Sequence, residues 1–263
     1  TGSLSDSLFR RDGDLLVPTK LTEGPWSPDA QHGGPPSALL AGAIESAASD
    51  GDLVVARLTL ELLRPVPLEP LTLGTGVLRP GKKVQGASSS LYHGGTKVAQ
   101  ALGLKIRAKQ IDFRHDVADP APIPSPDQGR PANFFDKPGA FASEAVEIRM
   151  LEGDFAEPGP GRAWIRLLVP LVEGEETTAV QRVTAAADFG NGVGNLVGRT
   201  RSWIFINPDL TIRLARPPIG EWFLLDSATL IHDTGTGLAS SRLADERGWL
   251  GEAAQSLLVD TIE

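Results

Sequence analysis

Leu58-Thr59-Leu60-Glu61-Leu62-Leu63-Arg64-Pro65 returns 152 residues later as Leu210-Thr211-Ile212-Arg213-Leu214-Ala215-Arg216-Pro217. Held without a gap from Arg57 to Ile106, the same offset gives thirteen identities in fifty positions, among them Glu69 with Glu221, Leu73 with Leu225, and Ala87-Ser88-Ser89 with Ala239-Ser240-Ser241. Random pairing at ordinary composition gives about three or four. Similar apolar patterning raises that background but does not account for the repeated Arg-Pro step, so the chain is read as an internal duplication.

Each copy has the pattern of β-strands. Residues 54–63, 71–78, 85–91 and 98–107 are rich in β-branched residues or alternate apolar with polar. Arg79-Pro80-Gly81-Lys82 and His93-Gly94-Gly95-Thr96 are the turns between them, matched in the second copy by Asp233-Thr234-Gly235 and Asp245-Glu246-Arg247-Gly248. Long antiparallel strands joined by short turns follow. A helix is expected before each block. Residues 37–48 are rich in helix formers, with Leu40, Ile44 and Ala47/Ala48 on one face, entered through Gly33-Gly34-Pro35-Pro36. Residues 178–189 are the counterpart, ending at Gly190-Asn191-Gly192-Val193-Gly194. One helix ahead of a run of strands in each copy is an α+β order. The N-terminal unit is placed at residues 1–110 and the C-terminal unit at 140–263, the latter starting with strands near 145–150 and 163–168. Residues 111–139, with Pro120, Pro122, Pro124, Pro126, Pro131 and Pro138, read as an extended linker.

The chain has 263 residues, 41% hydrophobic and 22% charged, enough for two units of this size. With no cysteine, a thiol nucleophile, a disulfide framework and a thiolate zinc site are all excluded. A net charge of −8 repels polyanions, so nucleic acid is not an expected partner, though a local basic pocket for one anionic ligand remains compatible. No apolar run approaches a membrane span, and the first residues carry no signal-like pattern, so the expected location is the cytoplasm. His93, His115 and His232 lack metal spacing, and no Gly-x-Ser-x-Gly elbow occurs.

A set of motifs then carries a resemblance. Gly24-Pro25-Trp26, His32-Gly33-Gly34, Ala187-Asp188-Phe189-Gly190-Asn191-Gly192, Asn207-Pro208-Asp209-Leu210-Thr211, Arg216-Pro217-Pro218-Ile219-Gly220-Glu221-Trp222 and 251–259 occur in this order through most of the chain. Together they resemble the thioesterase II family of acyl-CoA thioesterases. The resemblance implies a tandem double hotdog, each half an antiparallel sheet wrapped round one central helix. It also implies a cofactor-free hydrolysis of acyl-CoA to free acid and CoA. In the family an acid on the second helix, a hydroxyl or amide at the start of the following strand and a glutamine on the last strand form the site. Asp188, Asn207 and Gln255 fall at those positions, with Asn207 departing from the usual threonine.

Each candidate also has a plainer reading. Asp188 suits a solvated helix end, Asn207 an Asn-Pro turn, and Gln255 a strand amide that needs a buried partner. In the functional reading Asp188 is the base for a water that Asn207 and Gln255 hold. Gly33 and Gly34 open the first helix, where Pro35 and Pro36 lack N–H donors, so the Gly34 N–H is expected to polarise the thioester carbonyl across the junction. The alternative is that these glycines only permit close packing. His32 precedes them as a pocket-lining or structural residue. Arg79, Lys82 and Lys83 form a basic turn suited to CoA phosphates or to solvent. Matching the helices sets Gly42 opposite Asp188, and the strand offset sets Gly103 opposite Gln255, so one active centre per chain is expected. A non-catalytic acyl-CoA-binding protein is the competing reading. A homo-oligomer is left open, because a duplicated unit already contains its own pairing.

Overall fold

The computed structural model describes residues 7–112, 122–134, 139–197 and 203–261. Period-two burial runs through most of it. The elements in order are β1 (Phe9–Asp12), β2 (Leu15–Pro18), α1 (Gly34–Ser46), β3 (Leu53–Leu62), β4 (Thr72–Arg79), β5 (Val84–His93), β6 (Thr96–Arg107), β7 (Arg130–Ala132), β8 (Val146–Glu152), β9 (Gly161–Leu167), α2 (Ala179–Ala187), α3 (Gly190–Val193), β10 (Trp203–Ile206), β11 (Asp209–Leu214), β12 (Phe223–Ile231), β13 (Thr236–Asp245) and β14 (Gly248–Thr261). In β5, Gln85, Ala87, Ser89 and Leu91 turn inward and their neighbours outward, as a half-buried strand requires.

β1 and β2 form a separate hairpin, and the other twelve strands make one antiparallel sheet. Its order is β4-β5-β6-β3-β11-β14-β13-β12-β9-β8-β7, with β10 pairing to β14. The two copies meet where β3 pairs with β11, and there Thr59 faces Thr211, its own repeat mate. A pseudo-two-fold axis therefore passes through that pair. The ladders on either side keep the 152-residue offset: Leu62 pairs with Ala99 as Leu214 with Gly251, Ala87 with Gly103 as Ala239 with Gln255, and Gly76 with Ser88 as Ala228 with Ser240. Register set by one pleated, one-face-buried pattern is what a duplicated strand block preserves.

The helices lie together under the sheet and run antiparallel. Thr178, the N-cap of α2, donates its hydroxyl to Glu45 in the last turn of α1 at 2.6 Å, while Asp188, the C-cap of α2, lies against Gly33 at the entry of α1. α1 is buried on nearly every side rather than on one stripe, so Ser37, Leu39 and Ala41 are covered as well as Leu40 and Ile44. α2 begins with a capping box: Gln181 N–H donates to Thr178 Oγ1, and Thr178 N–H to Gln181 Oε1. Gly42 is the point where α1 passes that cap, since a Cβ there would lie 2.1 Å from Gln181 Nε2.

Several elements fall outside the sequence-based reading, β10 among them. The β1–β2 hairpin buries Phe9 and Leu16 and bonds to the second copy through Leu8 N to Pro170 O and Phe9 N to Leu171 O. The described part of the proline-rich stretch includes β7, paired to β8, and Pro124, whose carbonyl accepts the Trp164 indole N–H at 2.8 Å. The glycine-rich run after α2 is itself helical, as α3.

Candidate active site

At the C-terminus of α2 the backbone needs a residue that can stay in the right-handed region as the chain leaves the helix, and Asp188 does so at φ −67°. Its carboxylate is buried, at 3% side-chain exposure, so its oxygens must find partners. Asn207, in the turn between β10 and β11, donates from Nδ2 to Oδ1 at 2.8 Å. Gln255 points inward from β14 and donates from Nε2 to the Asp188 main-chain oxygen at 3.1 Å and to Oδ1 at 3.4 Å. The other face of that carboxamide is also engaged, because Gln255 Oε1 accepts the Asn191 N–H at 2.9 Å. Asn191 Nδ2 in turn donates to Asn207 Oδ1 at 3.4 Å. Gln255 and Asn207 thus point donors into Asp188.

Oδ2 faces a different partner. His32 Nδ1 stands 2.9 Å from it, with the ring packed beside both Phe141 and Phe189 at centroid distances of 4.9 and 4.8 Å. The same Nδ1 is 3.1 Å from the Gly34 N–H. One nitrogen cannot accept from Gly34 and donate to Asp188 together, and two lone pairs at 2.9 Å repel. A proton therefore belongs between His32 and Asp188.

Two glycines make this packing feasible. A Cβ on Gly33 would lie 2.7 and 2.9 Å from the Asp188 carboxylate oxygens, and one on Gly190 would lie 2.8 Å from Ser241 Oγ and 2.9 Å from Gln255 Oε1. Gly33 has φ −62°, so close approach and not backbone strain demands it. A cavity of about 350 Å³ opens beside the carboxylate. Its wall includes Asp188, Asn207, Asn191, His32 and Gly33, and then turns apolar with Trp26, Val66, Phe134 and Phe205.

The residues singled out in the sequence thus converge: Asp188, Asn207, Gln255, His32, Gly33 and Gly34 lie within one hydrogen-bonded cluster or in contact with it. Gly34 is covered and does not reach the cavity, and its N–H points at His32. Gly33 does line the cavity, and its N–H has no acceptor among the described residues. Arg79, Lys82 and Lys83 are exposed on their turn and are not part of the wall. His115 lies outside the described residues. Asn191 is not among the sequence candidates, because its glycine-rich setting reads as a helix terminus. The signal for it was its place inside the Asp-Phe-Gly-Asn-Gly motif.

Comparison with known proteins bears on the family and the fold. Residues 22–105 match the family model described as the acyl-CoA thioesterase N-terminal domain, and residues 118–259 match the acyl-CoA thioesterase C-terminal domain. No curated protein sequence matches the chain. Among solved structures, a proposed thioesterase II of Thermobifida fusca is 17% identical with a TM-score of 0.74, covering 95% of this chain and 94% of its own. A hot dog fold protein of Alicyclobacillus acidocaldarius is 14% identical with a TM-score of 0.69, covering 97% and 96%. An acyl-CoA thioesterase II of Mycobacterium marinum is 15% identical with a TM-score of 0.65, covering 93% and 97%. At such identities these structures speak for the shared hotdog-type α+β fold, while the two domain matches together span most of the sequence. The chain belongs to the acyl-CoA thioesterase family and is a thioester hydrolase.

Proposed function

We propose that the chain is a tandem double hotdog that hydrolyses an acyl-CoA to the free acid and CoA at one centre, with Asp188 as the base that activates water. The carrying observation is the buried Asp188 carboxylate, oriented by Asn207, Gln255 and His32 on the wall of a largely apolar cavity. The cavity accepts the acyl group, and the thioester carbonyl stops at the polar end. Asp188 takes a proton from water as the oxygen attacks the carbonyl carbon. The Gly33 N–H, at the entry of α1, donates to the carbonyl oxygen as negative charge develops there. Collapse of the tetrahedral intermediate breaks the C–S bond, and the proton held by Asp188 passes to the departing thiolate. Gln255 and Asn207 act by fixing the carboxylate, since Gln255 Oε1 is already engaged by Asn191.

The mirror position supports a single centre. The repeat mate of Gln255 is Gly103, where a Cβ would lie 2.2 Å from Ile44 Cγ2, so an apolar side chain fills the space of an amide. The mate of Asn207 is Val55, also buried.

Thiol release from a panel of acyl-CoAs tests the reading. Asp188→Asn keeps the shape and the Asn207 neighbourhood but removes the base, and kcat is expected to fall by about 10²–10⁴. Turnover within a few-fold of wild type would exclude Asp188 as the base. Tight acyl-CoA binding without thiol release for every acyl group would return a binding protein instead.

A further inference from the structure

The internal repeat compares two arginines directly. Arg64 and Arg216 are mates at the 152-residue offset, and each opens an Arg-Pro step at the end of its strand. Arg216 is committed to the fold. Its guanidinium grips Asp245 through two bonds of 2.6 Å and donates a third to Gly248 O at 2.9 Å. Asp245 is fully buried and also accepts the N–H groups of Ile219 and Arg247. The mate of Asp245 in the first copy is His93, which sits 3.3 Å from Pro70 O and offers no carboxylate.

Arg64 has therefore lost the acid that fixes its mate. It is exposed and makes no ion pair or hydrogen bond among the described residues. It stands instead in the wall of the cavity that contains Asp188, and among the described residues no other arginine or lysine lines that cavity. In a chain of net charge −8, an unpaired guanidinium on a cavity wall has no structural need to meet there. Its planar fork matches the two oxygens of a phosphate or a carboxylate.

We propose that Arg64 is a substrate-recognition residue whose guanidinium binds an anionic group of the thioester at the cavity mouth. Two parts of a substrate supply that chemistry: a phosphate of the CoA arm, or a carboxylate at the far end of the acyl chain. The inference rests on the thioesterase reading above and assigns a binding role to a residue outside the Asp188 cluster.

Steady-state kinetics of wild type and Arg64→Gln separate the sources with three substrates: an acyl-CoA, the same acyl group on N-acetylcysteamine, which carries no phosphate, and an ω-carboxyacyl N-acetylcysteamine thioester. A charge-assisted bond lost here raises KM by roughly tenfold or more. If the partner is a CoA phosphate, KM rises for the acyl-CoA alone, and the rise shrinks with added salt. If it is an acyl carboxylate, KM rises for the ω-carboxyacyl thioester and not for its uncharged counterpart. An unchanged KM for both anionic substrates, or an equal rise that includes the uncharged one, would overturn the assignment. A wild-type protein that releases no thiol defeats the thioesterase reading instead. Calorimetric titration with CoA and with glutarate then still tests Arg64, because a wild-type and a variant that bind both alike exclude it.

Discussion

Gly33 carries the sharpest steric demand in the site. It needs no unusual backbone angle, so an alanine there is tolerated conformationally, but its Cβ has nowhere to go except into the Asp188 carboxylate at 2.7 Å. Gly33→Ala is accordingly expected to displace Asp188 from His32 and Asn207, with a stability cost of about 1–3 kcal/mol for overpacking. A kinetic loss is expected beside it, with kcat down about tenfold to a hundredfold while KM stays within a few-fold. Circular dichroism and thiol-release kinetics on the same sample check both. Wild-type kcat in a folded variant would mean that the carboxylate has room the structure does not show. The residue scale is also where sequence alone was weakest. His32 reads equally well as a packed structural histidine, because nothing in the chain order brings it to residue 188. Only the antiparallel helices do so, by setting the entry of α1 against the end of α2.

At the scale of elements, the two helices are tied at both ends, and the tie between Asp188 and Gly33 faces the cavity. At the far end the last carbonyls of α1 are capped by a lysine: Lys105 Nζ, from β6, donates to Glu45 O at 2.7 Å and Ala47 O at 3.0 Å. Burial lowers the Lys105 ammonium pKa, with the nearby Glu45 charge pulling it back. Burial likewise pushes the Glu45 carboxyl up, against the Thr178 hydroxyl bond and Lys105. A carboxyl raised in the fold disfavours its ionised form there. Its penalty is fully present above the folded value and is relieved as pH falls through that value toward the unfolded one, near 4.5. Glu45→Gln keeps an oxygen for Thr178 and removes the charge. Relative to wild type, the variant is expected to gain stability in going from pH 4.5 up to pH 7, read by denaturant unfolding at the two pH values. A stability difference that does not change between them would show that Glu45 is not raised. The same helices explain why some elements were legible and others not. α2 announces itself through Thr178 and Gln181, whereas α1 is buried all round and has no polar face to mark its limits. α3 was hidden by its glycines, which sit there for clearance: a Cβ on Gly192 would lie 2.3 Å from the Phe134 ring.

For the molecule as a whole, the strand blocks could be read from sequence because duplication preserved both pattern and register, so one offset predicts four strands in each copy. The β1–β2 hairpin and β7 could not. Each is short and is held by distant partners, residues 170–171 and β8, and Pro131 in β7 argues locally against a strand except at a sheet edge. What the duplication does not preserve is the use made of each matching position, and the Arg-Pro step tests that. Arg216 is held by Asp245. Burial pushes the Asp245 carboxyl up, but Arg216 and the N–H groups of Arg247 and Ile219 together outweigh it and hold the pKa below the usual aspartate value. A carboxyl depressed in the fold contributes stability above its unfolded value, near 3.8, and loses that contribution as pH falls through the folded one. Asp245→Asn is therefore expected to cost about 3 kcal/mol at pH 7, the low end for breaking a buried pair because Arg216 retains some solvent. The gap to wild type should narrow below pH 4, as the wild-type carboxyl protonates. KM should stay at the wild-type value at temperatures where the variant is folded, since Asp245 does not line the cavity. A gap that persists undiminished in acid would show that the Arg216 pairing does not hold the Asp245 pKa down, and a KM that moves would place Asp245 with the cavity residues and undo the contrast between the two arginines.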